Sequence, residues 1–415
     1  MTFLPSLALK NLFRYSRRTL ITSSAIAFGI MIFILMDSLL VGIAKESERN
    51  LIWYETGSAA FFHPEYWEDH ELKPVDRSIE NPEALVQQMA SRGIPAVPRV
   101  EFAADMIVYQ DPFPEYGNIQ VQVTGIDPRH DNDVFQLKKT VIRGRYLEED
   151  EEGIMMGQWL ANDLGADVGY PVTLVTRTMD GYYQTMDMDV VAILLCDNPM
   201  VNRYGLYAPL DTVQYALDMN GYASAVYTSL PMGKGEGEGI EQMMEVAEPL
   251  GLEVLDWRVM GADFVALAEA KAEGSSTILF LVFLIAAVGI SNTILMSIME
   301  RVRELGMMRA MGMKDHQIRR MFLMEAAGIG FFGSLGGVIL GALANIFMVN
   351  KGIDYSRMMQ QGDMGYRFAG IAYGIWNPGT FVTAFVVGLI MAVMVAWFPT
   401  RRALRMEITS CLRYV

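Results

Sequence analysis

In this 415-residue chain the side chains capable of chemistry gather in three places. His63, Glu65, Glu68, Asp69 and His70 form the first, a cluster of metal-capable groups that lacks the His-Glu-x-x-His spacing placing two ligands on one helical turn. With only four histidines in the chain, none pairs clearly with a Ser or Cys nucleophile. The cluster reads as a solvated acidic loop, no metal site is expected, and the chain reads as non-catalytic. The second place, Gly233-Lys234-Gly235-Glu236-Gly237-Glu238-Gly239, is rich in glycine. No Ser or Thr follows its Gly-Lys pair and its carboxylates repel phosphate, so a flexible linker is expected and not a nucleotide loop.

The third place is Met299 to Met313. Its periodicity predicts a short amphipathic helix ending at Gly312, carrying Arg301, Arg303, Glu304, Leu305, Met307, Met308, Arg309, Met311, Gly312 and Met313. Met side chains adapt to an apolar groove, while Arg and Glu orient a partner through paired hydrogen bonds. These residues are therefore a candidate docking surface for a cytoplasmic partner. A membrane-skimming loop with basic anchors is the alternative reading.

The elements that must hold these segments follow from composition. The chain is 52% hydrophobic and 20% charged, so apolar and charged residues must be segregated along it. A net charge of −15 excludes a nucleic-acid partner, because an acidic surface repels phosphate backbones. Four apolar runs are long enough to cross a bilayer, which takes about 20 residues. They are Thr19–Ile43, whose one charge is Asp37, Ser275–Met299, Ala326–Val349 just after Glu325, and the stretch from Pro378 to Pro399. Gly42-Ile43-Ala44 has the form of a signal-peptidase site, but the run before it is far longer than a signal h-region, so a retained anchor is expected.

The predicted layout is a cytoplasmic amphipathic helix 1–18, spans at 19–43, 275–299, 322–349 and 378–399, an outer domain at 45–273, a cytoplasmic segment at 300–321, a short outer loop at 350–377 and a tail at 400–415. Basic residues orient it: Lys10, Arg14, Arg17 and Arg18, then Arg301, Arg303, Arg309, Lys314, Arg319 and Arg320, then Arg401, Arg402, Arg405 and Arg413 share one side. Only Lys351, Arg357 and Arg367 face them in the short loop, so both termini are expected in the cytoplasm. Cys196 then lies outside and Cys411 inside, and they cannot pair.

The outer segment reads as mixed α/β. Asn81-Pro82-Glu83 opens a helix closed by Gly93; strands are expected over Val100–Tyr109 and Ile119–Ile126, and a helix over Gly157–Leu164. Val172–Thr178 and Tyr182–Ile193 flank Asp180-Gly181, the signature of a tight hairpin. Ala223–Leu230, a helix near Glu241–Leu250 and Leu252–Trp257 complete a β-α-β-like unit. A middle lobe, 130–222, is expected within a lobe built from 45–129 and 223–273. Within the membrane, Gly333, Gly337 and Gly341 form a stripe permitting close helix approach, inside one protomer or at a dimer seam. Asp37 is a functional candidate or a hydrated interfacial acid. Glu325 is expected to pair with a nearby Arg.

Several of these segments resemble one family. Glu300-Arg301-x-Arg303-Glu304-Leu305-Gly306-x-x-Arg309-Ala310-x-Gly312, with Phe322-Leu323-Met324-Glu325-Ala326, the opening Ala8-Leu9-Lys10-Asn11-Leu12-Phe13-Arg14 and the closing Pro399-Thr400-Arg401-Arg402-Ala403, is similar to the permease domain of the MacB, FtsX and Lol transporters. The resemblance implies a type VII ABC transporter permease with four transmembrane helices and a large periplasmic domain, working as a dimer with a second copy or paralogue in the inner membrane. ATP and Mg would sit on a separate ATPase dimer, and Arg301 to Met313 would be the coupling helix docked on it. Nucleotide-driven closure would reach the outer domain by mechanotransmission. Gly125-Ile126-Asp127-Pro128 and Met156-Gly157-Gln158-Trp159-Leu160-Ala161 look most like the lipoprotein-releasing permeases. There the substrate cavity would be lined by Phe28, Ile32, Leu35, Asp37, Leu39, Phe283, Ile290 and Ile294, with handoff to a periplasmic carrier or adaptor. The tight Asp180-Gly181 turn departs from the subunit type that carries a long carrier-binding hook. Alternatives within the family are an exporter of amphiphilic drugs, peptides or lipids and a regulatory transducer of a cell-wall hydrolase.

Overall fold

The structure, a computed structural model, describes residues 14, 16–107, 118–231, 233–361, 365–368 and 370–404. It divides into two units, one of residues 1–43, 268–353 and 372–415, the other of 44–267 and 354–371.

Long helices make up the first unit. Long apolar runs give α1 (Ser16–Leu51), the 39-residue α7 (Ala262–Glu300), α9 (Asp315–Lys351) and α11 (Pro378–Ala403); α8 (Val302–Ala310) lies between α7 and α9, and Pro399, expected to end the last run, lies inside α11. Among the described residues, α1, α9 and α11 are long and apolar enough to cross a membrane. The uncharged run 275–299 lies inside α7, which begins well before it. The predicted boundary at 273–275 is therefore no break in the helix. Likewise, the segment expected as one piece over 300–321 consists of α8 plus the first turns of α9. Pro378 starts α11, where its missing N–H costs nothing.

The glycine stripe sets the packing. A methyl on Gly333 would lie 2.9 Å from Ile26 Cβ, and one on Gly337 would lie 2.7 Å from Ile30 Cβ and 2.8 Å from the Ala27 carbonyl oxygen. Gly341 meets Ile34 in the same way. Small residues every four positions let the α9 backbone approach α1. In this chain the stripe packs against its own first helix. Ile26, Ile30 and Ile34 join Ile318, Met321, Phe322, Ala384 and Ala396 in one buried cluster.

In the second unit, ten strands form one sheet: β1 (Ala59–Phe62), β2 (Ala96–Ile107), β3 (Asn118–Ile126), β4 (Val141–Gly144), β5 (Gly153–Gly157), β6 (Pro171–Arg177), β7 (Tyr183–Leu194), β8 (Leu206–Pro209), β9 (Ala225–Thr228) and β10 (Glu253–Asp256). Their order is β10-β1-β9-β2-β3-β8-β5-β7-β4, and β6 pairs with both β2 and β7. The pairs β3–β8 and β5–β7 are parallel, and the rest are antiparallel. Helix α2 (Pro82–Ser91) buries Leu85 and Met89 against Phe61 and Val226. Helix α3 (Gln158–Leu164) ends at Gly165 with φ +67, and α4 (Pro199–Tyr204) and α5 (Leu210–Ala216) border β8.

One outer-domain expectation needs correction. Lys234-Gly235-Glu236-Gly237-Glu238-Gly239 is not a linker; it forms the first turns of α6 (Lys234–Leu250). The glycines cost helix propensity, but Glu236 holds the turn by accepting from Trp257 Nε1 at 2.9 Å and Arg258 Nη1 at 3.0 Å. The β6–β7 hairpin closes through five residues, 178–182, with Gly181 at φ +82 and the Thr178 amide donating to the Tyr182 carbonyl. The hairpin expected at Asp180-Gly181 is thus present, with a loop longer than the two-residue connection that Asp-Gly most often signals.

Inside this sheet lies a charged core. Arg99 is 2% exposed, makes two bonds to the fully buried Asp131 at 2.8 and 2.9 Å, and rests on the Phe135 ring. Glu101 accepts from Tyr227 and pairs with Lys73. Burial pushes the Glu101 carboxyl up, but Lys73, with the Tyr227 hydroxyl, outweighs it and holds the group below the usual carboxylate range.

Candidate coupling site

Helix α8 is amphipathic across its width. Val302 and Leu305 are each 2% exposed and belong, with the buried Gly306, to the inward face. Arg301, just before the helix, is buried too. Its Nη1 reaches the Glu325 carboxylate at 3.3 and 3.5 Å, and its Nε donates to Glu304 Oε2 at 3.1 Å. The expected Glu325–Arg pair is thus present, with Arg301 as the partner. Arg14 approaches Glu304 at 3.8 Å, and Arg309 pairs with Asp315 at 3.2 Å. Gly312 takes φ +91, a conformation that favours glycine, and turns the chain so that the Lys314 amide donates to Gln317 and opens α9.

The ten residues proposed from sequence consequently separate by position. Arg303, Met307 and Met311 face outward four residues apart, with Met307 46% and Met311 80% exposed; Gly312 is exposed at their end. Glu304, Met308, Arg309 and Met313 are half-buried, and the two methionines pack on the helix core. Arg301 and Leu305 are buried, Arg301 against Glu325 of α9 and Leu305 in the helix core. The helical period of Val302, Leu305 and Gly306 carried that signal in the sequence, and the charge of Arg301 masked it.

Of the expected cavity residues, Phe28 and Ile32 are exposed and Leu35 and Leu39 half-buried. Their spacing puts them on one stripe of α1, away from Ile26, Ile30 and Ile34, which face the glycines. The side chains of Phe283, Ile290 and Ile294 lie outside the described residues. Asp37 accepts from Thr380 Oγ1 at 2.5 Å and from Asn377 Nδ2 at 3.3 Å. Beside it, Ser38 Oγ donates to the Ile375 carbonyl at 2.7 Å, and the Ile375 amide donates to the Ser38 carbonyl. Asp37 therefore ties α1 to the start of α11, a partnership between residues 340 or more apart that spacing does not reveal.

Within the His63–His70 segment Tyr66 is buried in the core beside Phe62 and Tyr227, while the metal-capable side chains make local contacts. The Glu65 amide donates to His63 Nδ1, the His70 ring stacks on Trp67 at 4.2 Å, and Asp69 pairs with Arg77. Among the described residues no group of three His, Cys, Asp or Glu is placed to hold a metal ion.

Long apolar helices with an α/β unit inserted in sequence between the first two of them define the class: a helical protein with membrane-spanning length and one large inserted domain. Comparison with known proteins narrows the class. Residues 19–243 match the MacB-like periplasmic core domain, and residues 276–408 match the FtsX-like permease C-terminal domain. The chain belongs to this family of ABC transporter permeases. It is 21% identical to the lipoprotein-releasing system transmembrane protein LolC of Neisseria meningitidis over 95% of this chain and 94% of that protein. It is 31% identical to the ABC transporter permease YtrF of Bacillus subtilis over 36% of each chain. The periplasmic region of MacB from Actinobacillus actinomycetemcomitans is a similar solved structure, at 14% identity and a TM-score of 0.35, covering 52% of this chain and 95% of that one.

Proposed function

We propose that this chain is the membrane subunit of an ABC transporter that works by mechanotransmission and releases lipoproteins from the outer leaflet of the inner membrane. It crosses that membrane four times, at 19–43, 275–299, 322–349 and 378–399, with both termini in the cytoplasm. The outward stripe Arg303, Met307 and Met311 docks on a separate ATPase dimer that binds ATP and Mg. Two copies, or this chain and a paralogue, form the cavity that takes the cargo through the Phe28, Ile32, Leu35 and Leu39 face of α1.

The observation that carries the reading is α8: a helix whose inner face is pinned by Arg301–Glu325 while its outer face offers two exposed methionines beside an arginine. Apolar side chains left in water on a rigid helix suit a partner's groove. The end-to-end likeness to LolC supports lipoprotein as the cargo, and the five-residue 178–182 turn supports the hookless partner of a pair. The match to the MacB-like core domain favours one second reading, export of amphiphilic compounds through a periplasmic adaptor.

Reconstituted with the ATPase that co-purifies with it, the chain should release acylated lipoprotein from vesicles when ATP is added. Release that is independent of ATP, or none, refutes the cargo assignment. A deletion strain with normal lipoprotein sorting and raised drug sensitivity would establish the exporter instead. Labelling of cysteines placed at 303, 307 and 311 from the periplasmic side would overturn the docking assignment.

A further inference from the structure

The segment between α9 and α11 reads in the sequence as a short loop, yet residues 354–371 fold as part of the outer unit. Its helix α10 (Ser356–Gln361) buries Met359, and Phe368 is 3% exposed. The fastening is polar and centres on Arg367. Its Nε lies 2.8 Å from Glu55 Oε1, its amide donates to Ser47 Oγ at 3.1 Å, and its carbonyl accepts from Asn50 Nδ2 at 2.8 Å. Asn198 Nδ2 donates to the same Glu55 oxygen at 2.6 Å, and Asn50 Nδ2 also donates to the Asp197 carbonyl. A second fastening is Arg203, which donates to the Met359 carbonyl at 3.2 Å.

A loop serving only to join two helices needs no such knot. Taking Arg367 and Glu55 out of water is costly, and the arrangement persists only if each charge keeps its partners. The knot also gathers three separate parts of the chain: the continuation of α1 at Ser47 to Glu55, the turn at Asp197–Asn198, and the return loop. The loop's ends continue along the chain into α9 and α11, and Arg367 is where this return segment is fastened within the outer unit.

We infer that residues 354–371 are a mechanical strap, through whose Arg367 knot the motion of α9 and α11 enters the outer unit. The inference rests on the permease reading above and adds a route for the stroke besides α1 and α7. Breaking the knot should free the strap and leave the sheet folded. The strap then no longer carries motion.

The test is hydrogen–deuterium exchange on the full chain in nanodiscs, with its co-purified ATPase, without nucleotide and with ATP plus vanadate. In Arg367→Ala, amides of 354–371 should exchange about tenfold faster, while β1–β3 keep their protection. The nucleotide-dependent change in exchange of the sheet should fall at least severalfold, and Arg367→Lys should restore part of both. Unchanged strap protection in Arg367→Ala overturns the inference, as does a freed strap with a normal nucleotide response in the sheet. Loss of sheet protection in both variants would make Arg367 a folding residue and overturn it too. No nucleotide response in the unaltered chain would sink the permease reading and the relay together, whereas a normal response with a freed strap would sink the relay alone.

Discussion

Replacing Arg301 by Met is the sharpest probe of how α8 is held. The side chains of Arg301 and Glu325 are only 7% and 12% exposed, so the variant leaves a carboxylate buried between α8 and α9 without its cation. Removing one partner of such a pair costs about 3–5 kcal/mol, whereas exchanging both for apolar groups of similar volume is near neutral. Arg301→Met and Glu325→Leu should each lower the melting temperature of the purified full-length chain by ~10 °C, taking roughly 2–4 °C per kcal/mol for a helical unit of this size. The double variant should melt within ~3 °C of the parent, so that the two losses, about 6–10 kcal/mol if they simply added, are almost wholly coupled. The Arg301–Glu304 contact adds little to this, because Glu304 is 39% exposed and half-exposed pairs contribute below about 1 kcal/mol. Melts followed by intrinsic fluorescence in one detergent give all four corners of the cycle. Recovery of the partner ATPase on co-purification should track melting temperature across the series. If the double variant melts at the sum of the two losses, or if ATPase recovery drops in Arg301→Met without any fall in melting temperature, Arg301 is a docking residue and the strut assignment is wrong.

Three further outcomes test other parts of the molecule. Gly337→Ala, whose new methyl would sit 2.7 Å from Ile30 Cβ, should destabilise the helical unit by about 1–3 kcal/mol, while Gly336→Ala, where the nearest atom is 3.7 Å away, should be tolerated in the same melt. Because Lys73 and Tyr227 hold Glu101 below its usual range, its contribution to stability is full above the unfolded value of about 4.3 and is lost as pH falls toward the lower folded value; the melting temperature of the full chain should therefore fall less steeply below that pH in Glu101→Gln. Burial pushes the Cys196 thiol up to about 12, so iodoacetamide at pH 8 should label it slowly in a Cys411→Ser background and rapidly only after denaturation; fast labelling in the native chain contradicts that burial.

The residues that sequence reading placed well are those whose role follows from near neighbours. Pro82 opens α2 and Gly165 closes α3, since proline at the first helical position and a left-handed glycine at the end each act within a turn. The apolar runs of α1, α9 and α11 stand out because bilayer thickness is a length that composition alone satisfies. The Gly233–Gly239 run misled because propensity argued against helix, and the contacts of Glu236 with Trp257 and Arg258, about 20 residues distant, outweighed it. The burial of Arg301 was illegible for the complementary reason: a charged residue in an arginine-rich segment looks solvent-facing until its carboxylate partner is found 24 residues on.

From its order of residues alone this protein is legible as a chain of long apolar runs with an acidic α/β insertion and a basic, methionine-rich segment between two of those runs, because hydropathy, charge bias and motif spacing are local properties. Only the fold decided which face of α8 is free, that Asp37 answers to Thr380, that the glycine stripe serves α1, and that residues 354–371 belong to the outer unit. Those four depend on pairs separated by 24 to more than 300 positions, and burial is what makes each pairing count. A buried charge or an absent methyl has its energetic meaning only once the opposing surface is in place.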